Sequence, residues 1–179
     1  APPEARRPAA TAGDLRVVST DGPNGQALHS PAFAQQLAFL AAMRARAAAL
    51  AGHPTVIAGD LNECPADLDV WDTSAVHGAT HITDDERRRL RAVLDTGYID
   101  AFRTVHPDEP GFTWWDYRAG HFHKGFGLRI DLALLSEPLS SHLVASSVER
   151  PYRKPSKVPG TKPSDHAPLV VDLHDDPRP

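Results

Sequence analysis

Apolar residues recur along the chain with two different spacings, which predict a mixture of helices and strands. Phe33, Leu37 and Leu40 follow one another at helical spacing, behind Ser30, a residue type that caps helix N-termini. The pattern predicts a helix that begins after this serine and stops at Gly52.

A second helix is predicted where a capping-box pattern precedes an apolar stripe. Thr83 and Glu86 form the capping box, which satisfies the free amide groups of a first helical turn. Leu90 and Val93 supply the stripe, and Gly97 is expected to end the helix.

Short apolar runs, several with alternating polar positions, predict the strands. The candidates are LRVVS, TVIAGDLN, YIDAFR, FTWW, LRIDLALLS, LVASSV and APLVVDL, with one helical turn at PADLD. Because strands and helices are mixed along the chain, the pattern predicts a layered α/β or α+β domain.

The pattern also divides the chain into three parts. Residues 1–14 are rich in Pro and Ala with almost no large apolar residue, so a flexible arm is expected there. Residues 15–173 carry the periodic pattern and form one domain, and residues 174–179 form a tail.

Composition narrows the classes of protein. The net charge of −4 argues against binding nucleic acid by bulk charge alone, but it allows an enzyme that recruits a divalent cation to phosphate. Cys64 is the single cysteine, which excludes an internal disulfide and fits a reducing compartment. No apolar run reaches the roughly 18 residues of a membrane span, and no export signal is recognisable. We therefore expect a cytoplasmic protein without a membrane partner.

Asp60 and Asn62 follow the apolar run TVIAG and are the first candidates for chemistry. Polar residues at the carboxyl end of a buried strand often face a ligand crevice, and residues two apart in extended chain share one face. The alternative is a turn, because Asp and Asn commonly bond their own backbone there.

Asp131 and His166 are the second pair of candidates. Asp131 lies in a run that is apolar on both faces, where a carboxylate needs a partner. That partner is either an arginine or a histidine that Asp131 orients and stabilises in its charged form. His166, at the entry of the last strand, is able to exchange a proton or hold a phosphate oxygen, and neighbouring Asp165 is able to bind a metal. A capped turn is the alternative for this Asp-His pair.

Cations cluster just before Asp165 without an intervening acid. They are Arg150, Arg153, Lys154, Lys157 and Lys162. The segment is either a solvated loop or a loop that faces phosphate beside the site. The histidine pair His77 and His81 has helical i,i+4 spacing but lacks the HExxH context that would indicate zinc.

The order of five segments resembles the exonuclease III family of DNA-repair nucleases, whose members include AP endonucleases. The segments are PNGQALHSPAF, AGDLNECPADLDVWD, YIDAFRTVHP, GFTWWDYRAGHFHKGFGLRIDLALLS and KPSDHAPLVVDL. The resemblance implies a four-layered α/β sandwich, in which two mixed sheets pack face to face with helices outside. It also implies hydrolysis of DNA phosphodiesters with Mg²⁺ or Mn²⁺, on a duplex with an abasic site or a 3′ end.

The resemblance implies roles for the candidates around the reacting phosphate. Asp60 would align or deprotonate the attacking water, and Asn62 would help to fix that water or the phosphate. His166, held by Asp131, would contact the scissile phosphate. The implied metal ligands are Asp60, Asn62, Asp165 and His166.

The resemblance further implies which residues contact DNA. Asn24, in the PNG turn, would bond a phosphate oxygen, and Trp114 would line the pocket for the abasic sugar. Lys124 and Arg129 lie in segments that match DNA-facing and strand parts of the family, and both are expected to contact DNA.

Two departures from the family pattern change the expectation for this chain. The resemblance covers only the C-terminal portion of the family, without the half that carries its principal metal-binding glutamate. Asp21 stands where the family has a tyrosine that donates to the phosphate. We therefore expect little activity from this chain alone. It would be a nuclease fragment, a DNA- or partner-binding remnant, or half of a split enzyme that a complementing N-terminal half completes; otherwise a monomer is expected. A phosphatase or lipid phosphodiesterase is the weaker alternative.

Overall fold

The computed structural model, which describes residues 8–154 and 160–175, is organised around a five-stranded mixed sheet. Its strands are β1 (Ala9–Ala12), β2 (Leu15–Asp21), β3 (Thr55–Asp60), β4 (Tyr98–Asp100) and β5 (Asp131–Ser136). They lie in the order β1-β2-β3-β5-β4, with β2 and β3 parallel and the other neighbours antiparallel. A second sheet is formed by the antiparallel pair β6 (Leu143–Val148) and β7 (Leu169–Leu173).

Two long helices account for most of the helical residues. The helices are α1 (Pro31–Leu50), α2 (Asp84–Leu94), α3 (Ala101–Val105), α4 (His121–Lys124) and α5 (Glu137–Ser140). Short 3₁₀ turns lie at Asp67–Asp69, Arg118–Gly120 and Arg150–Arg153. Within the described ranges, no helix is both long enough and apolar enough to cross a membrane.

Both long helices begin at the caps that the sequence predicts. The Ser30 hydroxyl accepts a hydrogen bond from the Phe33 amide at 3.0 Å, and the capping box of Thr83 and Glu86 is formed. The first helix ends at Leu50, two residues before the predicted glycine, whereas the second is followed by Gly97 in a left-handed conformation.

The two faces of the large sheet bury different layers. One face packs against α1 and α2 through the sheet residues Val18, Ile57, Leu132 and Leu134. The other face, which includes Ala133 and Leu135, packs against apolar side chains of β6 and β7. The helices α1 and α2, the large sheet and the small sheet therefore form successive layers. This confirms the predicted packing of two sheets with helices outside.

The predicted flexible arm is corrected where the structure describes it. Ala9–Ala12 pair with β2, and the Ser19 amide donates to the Pro8 carbonyl at 3.0 Å. An edge strand needs only backbone hydrogen bonds to its neighbour, so a segment without large apolar side chains is still able to form one. In the predicted tail, the His174 amide donates to the His142 carbonyl at 2.8 Å. The remaining parts of the arm and tail, residues 1–7 and 176–179, lie outside the described residues.

Several strand predictions were too long, and LRIDLALLS, for example, forms a strand only from Asp131. In YIDAFR the strand ends at Asp100, because this carboxylate caps α3 by accepting from the Arg103 amide at 3.2 Å. In FTWW only isolated bridges form, from Trp114 to Leu128 and to His166. These bridges bring the loop before β7 towards the start of β5.

Candidate active site

Three adjacent strands place three carboxylates in one row. Asp60 ends β3 and lies opposite Asp131, the first residue of β5. On its other side Asp60 is paired in register with Asp21, the last residue of β2. The antiparallel register of β3 and β5 therefore brings together two candidates that are 71 positions apart in sequence.

His166 completes this group from the loop that precedes β7. Its Nδ1 lies 2.8 Å from Asp131 Oδ2, and its Nε2 lies 4.0 Å from Asp60 Oδ2. Of the two partners considered for Asp131, the histidine is the one that the structure places beside it. The arrangement fixes the ring orientation and leaves Nε2 directed towards the Asp60 side.

Charge interactions favour the protonated form of His166. Burial by itself lowers the pKa of this imidazole, but the hydrogen bond and negative charge of Asp131, together with the charges of Asp60 and Asp165, outweigh burial, so the pKa is raised. A protonated imidazole has no free lone pair for a metal. Both roles expected of His166, phosphate contact and metal binding, stay predictions.

Burial raises the pKa of Asp60 to about 6, although the Asn62 amide donates to its carboxylate. The negative charge of Asp131 adds to this rise. A carboxylate whose pKa lies close to neutrality is suited to accept a proton near physiological pH.

Asn62 lies in the turn that was considered as an alternative to a site, and the same turn also forms part of the candidate site. Its backbone is left-handed, with φ of 54°, and its amide donates to Asp60 Oδ1 at 2.8 Å. Its side-chain Nδ2 donates to the Gly22 carbonyl at 2.8 Å and to Asp60 Oδ2 at 3.1 Å. Asn24 Nδ2 in turn donates to Asn62 Oδ1 at 3.3 Å. The predicted residues Asp60, Asn62 and Asn24 are thus joined in one hydrogen-bonded group.

Trp114 and Asp165 are also joined. The indole Nε1 of Trp114 donates to Asp165 Oδ2 at 3.0 Å, so this carboxylate orients the ring that was expected to line the sugar pocket. Lys124 is exposed at the end of α4, with its Nζ 5.7 Å from the centroid of the Phe126 ring.

The prediction that Arg129 contacts DNA is wrong. Its side chain is fully buried, and its Nε donates to Asp69 Oδ1 at 2.6 Å. Its two terminal nitrogens donate to Asp100 at 3.1 and 2.7 Å. A guanidinium that is paired with two buried carboxylates has a structural role, and it cannot reach a DNA phosphate at the protein surface.

The expected metal set is not preassembled. Within residues 8–154 and 160–175, no group of three or more His, Cys, Asp or Glu is arranged to hold an ion. The donors nonetheless fit a hard cation, since Asp60 and Asp165 offer carboxylate oxygens and Asp60 lies between two further carboxylates. A metal at this position would need another oxygen ligand.

A group of buried polar side chains that contacts the Asn62 carbonyl was not predicted from the sequence. Gln36 Nε2 donates to the Asn62 carbonyl at 3.1 Å and to Glu63 Oε1 at 2.8 Å. His81 Nδ1 lies 2.5 Å from the same carbonyl and acts as the donor, because a carbonyl only accepts. These contacts hold the left-handed turn from behind. The available signal was Gln36, a polar residue at helical spacing with Leu40, inside the buried stripe of α1.

Glu63 carries an unusual stability cost. The side chain is fully buried, and its Oε2 has no partner within the described residues. Burial raises the pKa of this carboxyl to about 10, with the nearby charge of Glu86 adding to the effect. The folded state therefore keeps Glu63 protonated at neutral pH, while the unfolded chain ionises it.

We expect Glu63→Gln to stabilise the protein increasingly as pH rises. Because the pKa of Glu63 is raised in the folded state, its contribution to stability is fully present below a pH of about 4.5. The contribution is lost progressively as the pH rises towards about 10. The ideal slope is about 1.4 kcal/mol per pH unit, and we expect a net gain of at least about 1 kcal/mol between pH 5 and pH 8. Urea unfolding at both pH values measures it.

The control for this variant is Glu137→Gln, since Glu137 is exposed and its side chain forms no hydrogen bond or ion pair among the described residues. The control should shift stability equally little at both pH values. A Glu63→Gln protein that unfolds at the same urea concentration as the wild type at pH 8 would show that the buried carboxyl has no such cost.

Comparison with known proteins assigns the chain to a family. The sequence profile of the endonuclease/exonuclease/phosphatase family matches residues 2–166. The chain belongs to the endonuclease/exonuclease/phosphatase family. One curated relative, the exodeoxyribonuclease of Bacillus subtilis (strain 168), is 33% identical over 119 residues, 66% of this chain and 44% of the relative. Exodeoxyribonuclease III of Haemophilus influenzae is 32% identical over 131 residues, 68% of this chain and 46% of the relative.

Solved structures of the family share the fold. The 3′ phosphatase NExo from Neisseria, bound to a product DNA hairpin, has a TM-score of 0.88 at 34% identity. The match covers 94% of this chain and 65% of that chain. An AP endonuclease from Archaeoglobus fulgidus has a TM-score of 0.86 at 28% identity, covering 95% and 65%. The chain spans less than half the length of the two curated relatives described above.

Proposed function

We propose that this chain is the C-terminal portion of a divalent-metal-dependent DNA phosphodiester hydrolase of base-excision repair, a 3′–5′ exodeoxyribonuclease or AP endonuclease. The observation that carries the proposal is the group formed by Asp60, Asn62, Asp131 and His166 at the ends of β3 and β5. A cytoplasmic location stays a prediction.

The group offers the parts that phosphodiester hydrolysis needs. Asp60 accepts a proton from the attacking water, in keeping with its raised pKa of about 6. His166, protonated and oriented by Asp131, donates through Nε2 to the phosphate oxygens as their charge grows. Asn62 donates to the Asp60 carboxylate and Asn24 donates to Asn62. Asn62 would help to fix the water or the phosphate, and Asn24 would bond a phosphate oxygen.

Mg²⁺ or Mn²⁺ is the proposed cofactor. The carboxylates of Asp60 and Asp165 would hold it, with the remaining ligand supplied from outside the described residues. The ion supplies positive charge that stabilises the phosphate in the transition state.

DNA is the proposed substrate, as a duplex with an abasic site or a 3′ end. Trp114, held by Asp165 at 3.0 Å, would line the pocket for the abasic sugar. The AP endonuclease names among the relatives and the DNA hairpin in the Neisseria 3′ phosphatase structure support this choice.

A split enzyme is the alternative that the observations favour next. The chain covers 44% and 46% of the Bacillus and Haemophilus relatives, and no three-ligand metal group forms within its described residues. Under this alternative a separate N-terminal half brings the missing metal ligand and restores activity. A remnant that binds DNA without cleaving it is the third case.

We expect the chain alone to cleave an abasic-site duplex weakly, and the chain mixed with the N-terminal half of the Bacillus subtilis exodeoxyribonuclease to cleave it in Mg²⁺. Loss of the ion removes several kcal/mol of transition-state stabilisation, so EDTA should lower the rate by at least about a hundredfold. The measurement is product formation by gel electrophoresis, with and without EDTA.

The outcomes separate the cases. Full cleavage in EDTA would refute the metal mechanism, and strong cleavage by the chain alone would refute the need for a second half. If the mixture binds DNA without cleaving it, the chain is a DNA-binding remnant. If the mixture neither binds nor cleaves DNA, the proposed function is wrong.

A further inference from the structure

The basic segment of the sequence contributes to a small pocket. Tyr117 lies in its wall, with Arg153 and Lys162 from the segment and His121 and His123 from α4. The pocket has a volume of about 220 Å³, which is sufficient for a phosphate group.

Two cations of this pocket lie against the same aromatic ring. Lys162 Nζ is 3.5 Å from the centroid of Tyr117, and the guanidinium carbon of Arg153 is 4.7 Å from it. Arg153 is only 3% exposed and donates to the Trp115 carbonyl at 3.1 Å. Among residues 8–154 and 160–175, no ion pair of Arg153 with a carboxylate is found, and its buried Nε has no hydrogen-bond partner. A buried charge without a counter-charge is costly, so an anion in this pocket would stabilise it.

The carboxylate that lines the pocket does not cancel this charge. Asp116 is held by Arg118, whose Nε and terminal nitrogen lie 2.9 and 2.6 Å from Asp116 Oδ2. This hydrogen bonding lowers the pKa of Asp116 to about 2. Arg118 neutralises Asp116, which leaves the charges of Lys162 and Arg153 for a bound anion.

Hydrogen bonds connect the pocket residue Tyr117 and its neighbour Trp115 to the segment that leads to the catalytic histidine. The Trp115 amide donates to the Asp165 carbonyl at 3.0 Å, and the Tyr117 hydroxyl donates to the Pro163 carbonyl at 2.6 Å. Pro163 is three residues from His166, a separation of at most about 11 Å along the chain. A DNA strand advances about 3.4 Å along the helix axis per nucleotide, so this distance spans about three nucleotides.

We infer that Lys162 and Arg153 bind a backbone phosphate of DNA that lies within about three nucleotides of the scissile phosphate. The inference rests on the proposed function, because DNA is the source of the phosphate. Such a contact sets the position of the strand without reading its sequence.

The other cations of the segment have different roles. The guanidinium of Arg150 lies over the rings of Phe122 and Trp115, at 4.5 and 5.5 Å, and donates to the Phe122 carbonyl. Lys154 is exposed and does not line the pocket, and Lys157 lies outside the described residues. Lys154 is therefore a matched control for Lys162.

The test compares Lys162→Gln with Lys154→Gln in binding to a fluorescent abasic-site duplex. Anisotropy is measured in EDTA, which prevents cleavage, from 50 to 200 mM salt. We expect Lys162→Gln to weaken binding by roughly three- to tenfold and to reduce the salt slope by about one. Lys154→Gln should bind as the wild type does. Equal effects of the two variants, or no effect of Lys162→Gln, would overturn the inference.

A second measurement keeps this result apart from failure of the proposed function. Inorganic phosphate is titrated into the wild-type protein, and the NMR signals of Tyr117 and Lys162 are followed. A protein that binds no DNA but shows these shifts has an anion site whose ligand is not DNA, which overturns both proposals as stated. DNA binding that is insensitive to Lys162→Gln, without phosphate shifts, overturns only the pocket.

Discussion

Replacing His166 with alanine is expected to lower the rate of DNA cleavage by about a thousandfold, because the variant loses the group oriented towards the phosphate. The assay uses the chain supplied with the N-terminal half of a related nuclease, on an abasic-site duplex in Mg²⁺. DNA affinity should change little, since the backbone contacts that position the strand remain.

The matched control for this variant is His77→Ala. His77 is exposed, and its side chain takes no part in the Asp60–Asp131–His166 group. It should cleave at the wild-type rate. If His166→Ala cleaves DNA as fast as this control, the proposed mechanism is wrong.

Asp131→Asn refines the same result. An amide fills the same space next to His166 Nδ1, 2.8 Å away in the wild type, but does not stabilise an imidazolium as a carboxylate does. Activity should fall while the melting temperature stays close to that of the wild type. A lower melting temperature with unchanged activity would show that Asp131 has a structural role only.

Arg129→Ala is expected to produce the largest loss of stability, about 3–5 kcal/mol, because it leaves Asp100 without its ion-pair partner and leaves buried Asp69 with Arg103 alone. At about 2–4 °C per kcal/mol for a chain of this size, the melting temperature should fall by roughly 6–20 °C. Thermal unfolding followed by circular dichroism measures the change.

Two further variants show whether the loss of stability in Arg129→Ala comes from its buried ion pairs. Arg89→Ala removes a partly exposed surface ion pair with Asp85 at 3.3 Å and should cost less than about 1 kcal/mol. Arg129→Lys keeps the charge but loses the paired hydrogen bonds, so it should be destabilised to a lesser degree and bind DNA like the wild type. Weaker DNA binding by Arg129→Lys at unchanged stability would instead restore the DNA-contact role.

Local features of the sequence determined the starts of the helices and much of the site. Ser30 and the Thr83–Glu86 box cap their helices through contacts within three residues, so their patterns were sufficient. Asp60 and Asn62 were also recognisable, because both the strand end and the turn that joins them are local.

The pairing of Asp131 with His166 could be anticipated, but residue spacing alone did not determine it. A carboxylate inside an apolar strand requires a partner, which narrowed the choice to an arginine or a histidine. The choice itself depended on the loop before β7, which bridges to Trp114 and brings His166 within 2.8 Å of Asp131.

Tertiary structure alone decided the roles of Arg129, Gln36 and Glu63. Whether an arginine faces solvent or buried carboxylates depends on residues 60 and 29 positions away, here Asp69 and Asp100. The sequence by itself determined local hydrogen bonding and the apolar faces of each element. Only the packing of those elements set which polar side chains were removed from water and had to find partners, since the cost of burial depends on the whole fold.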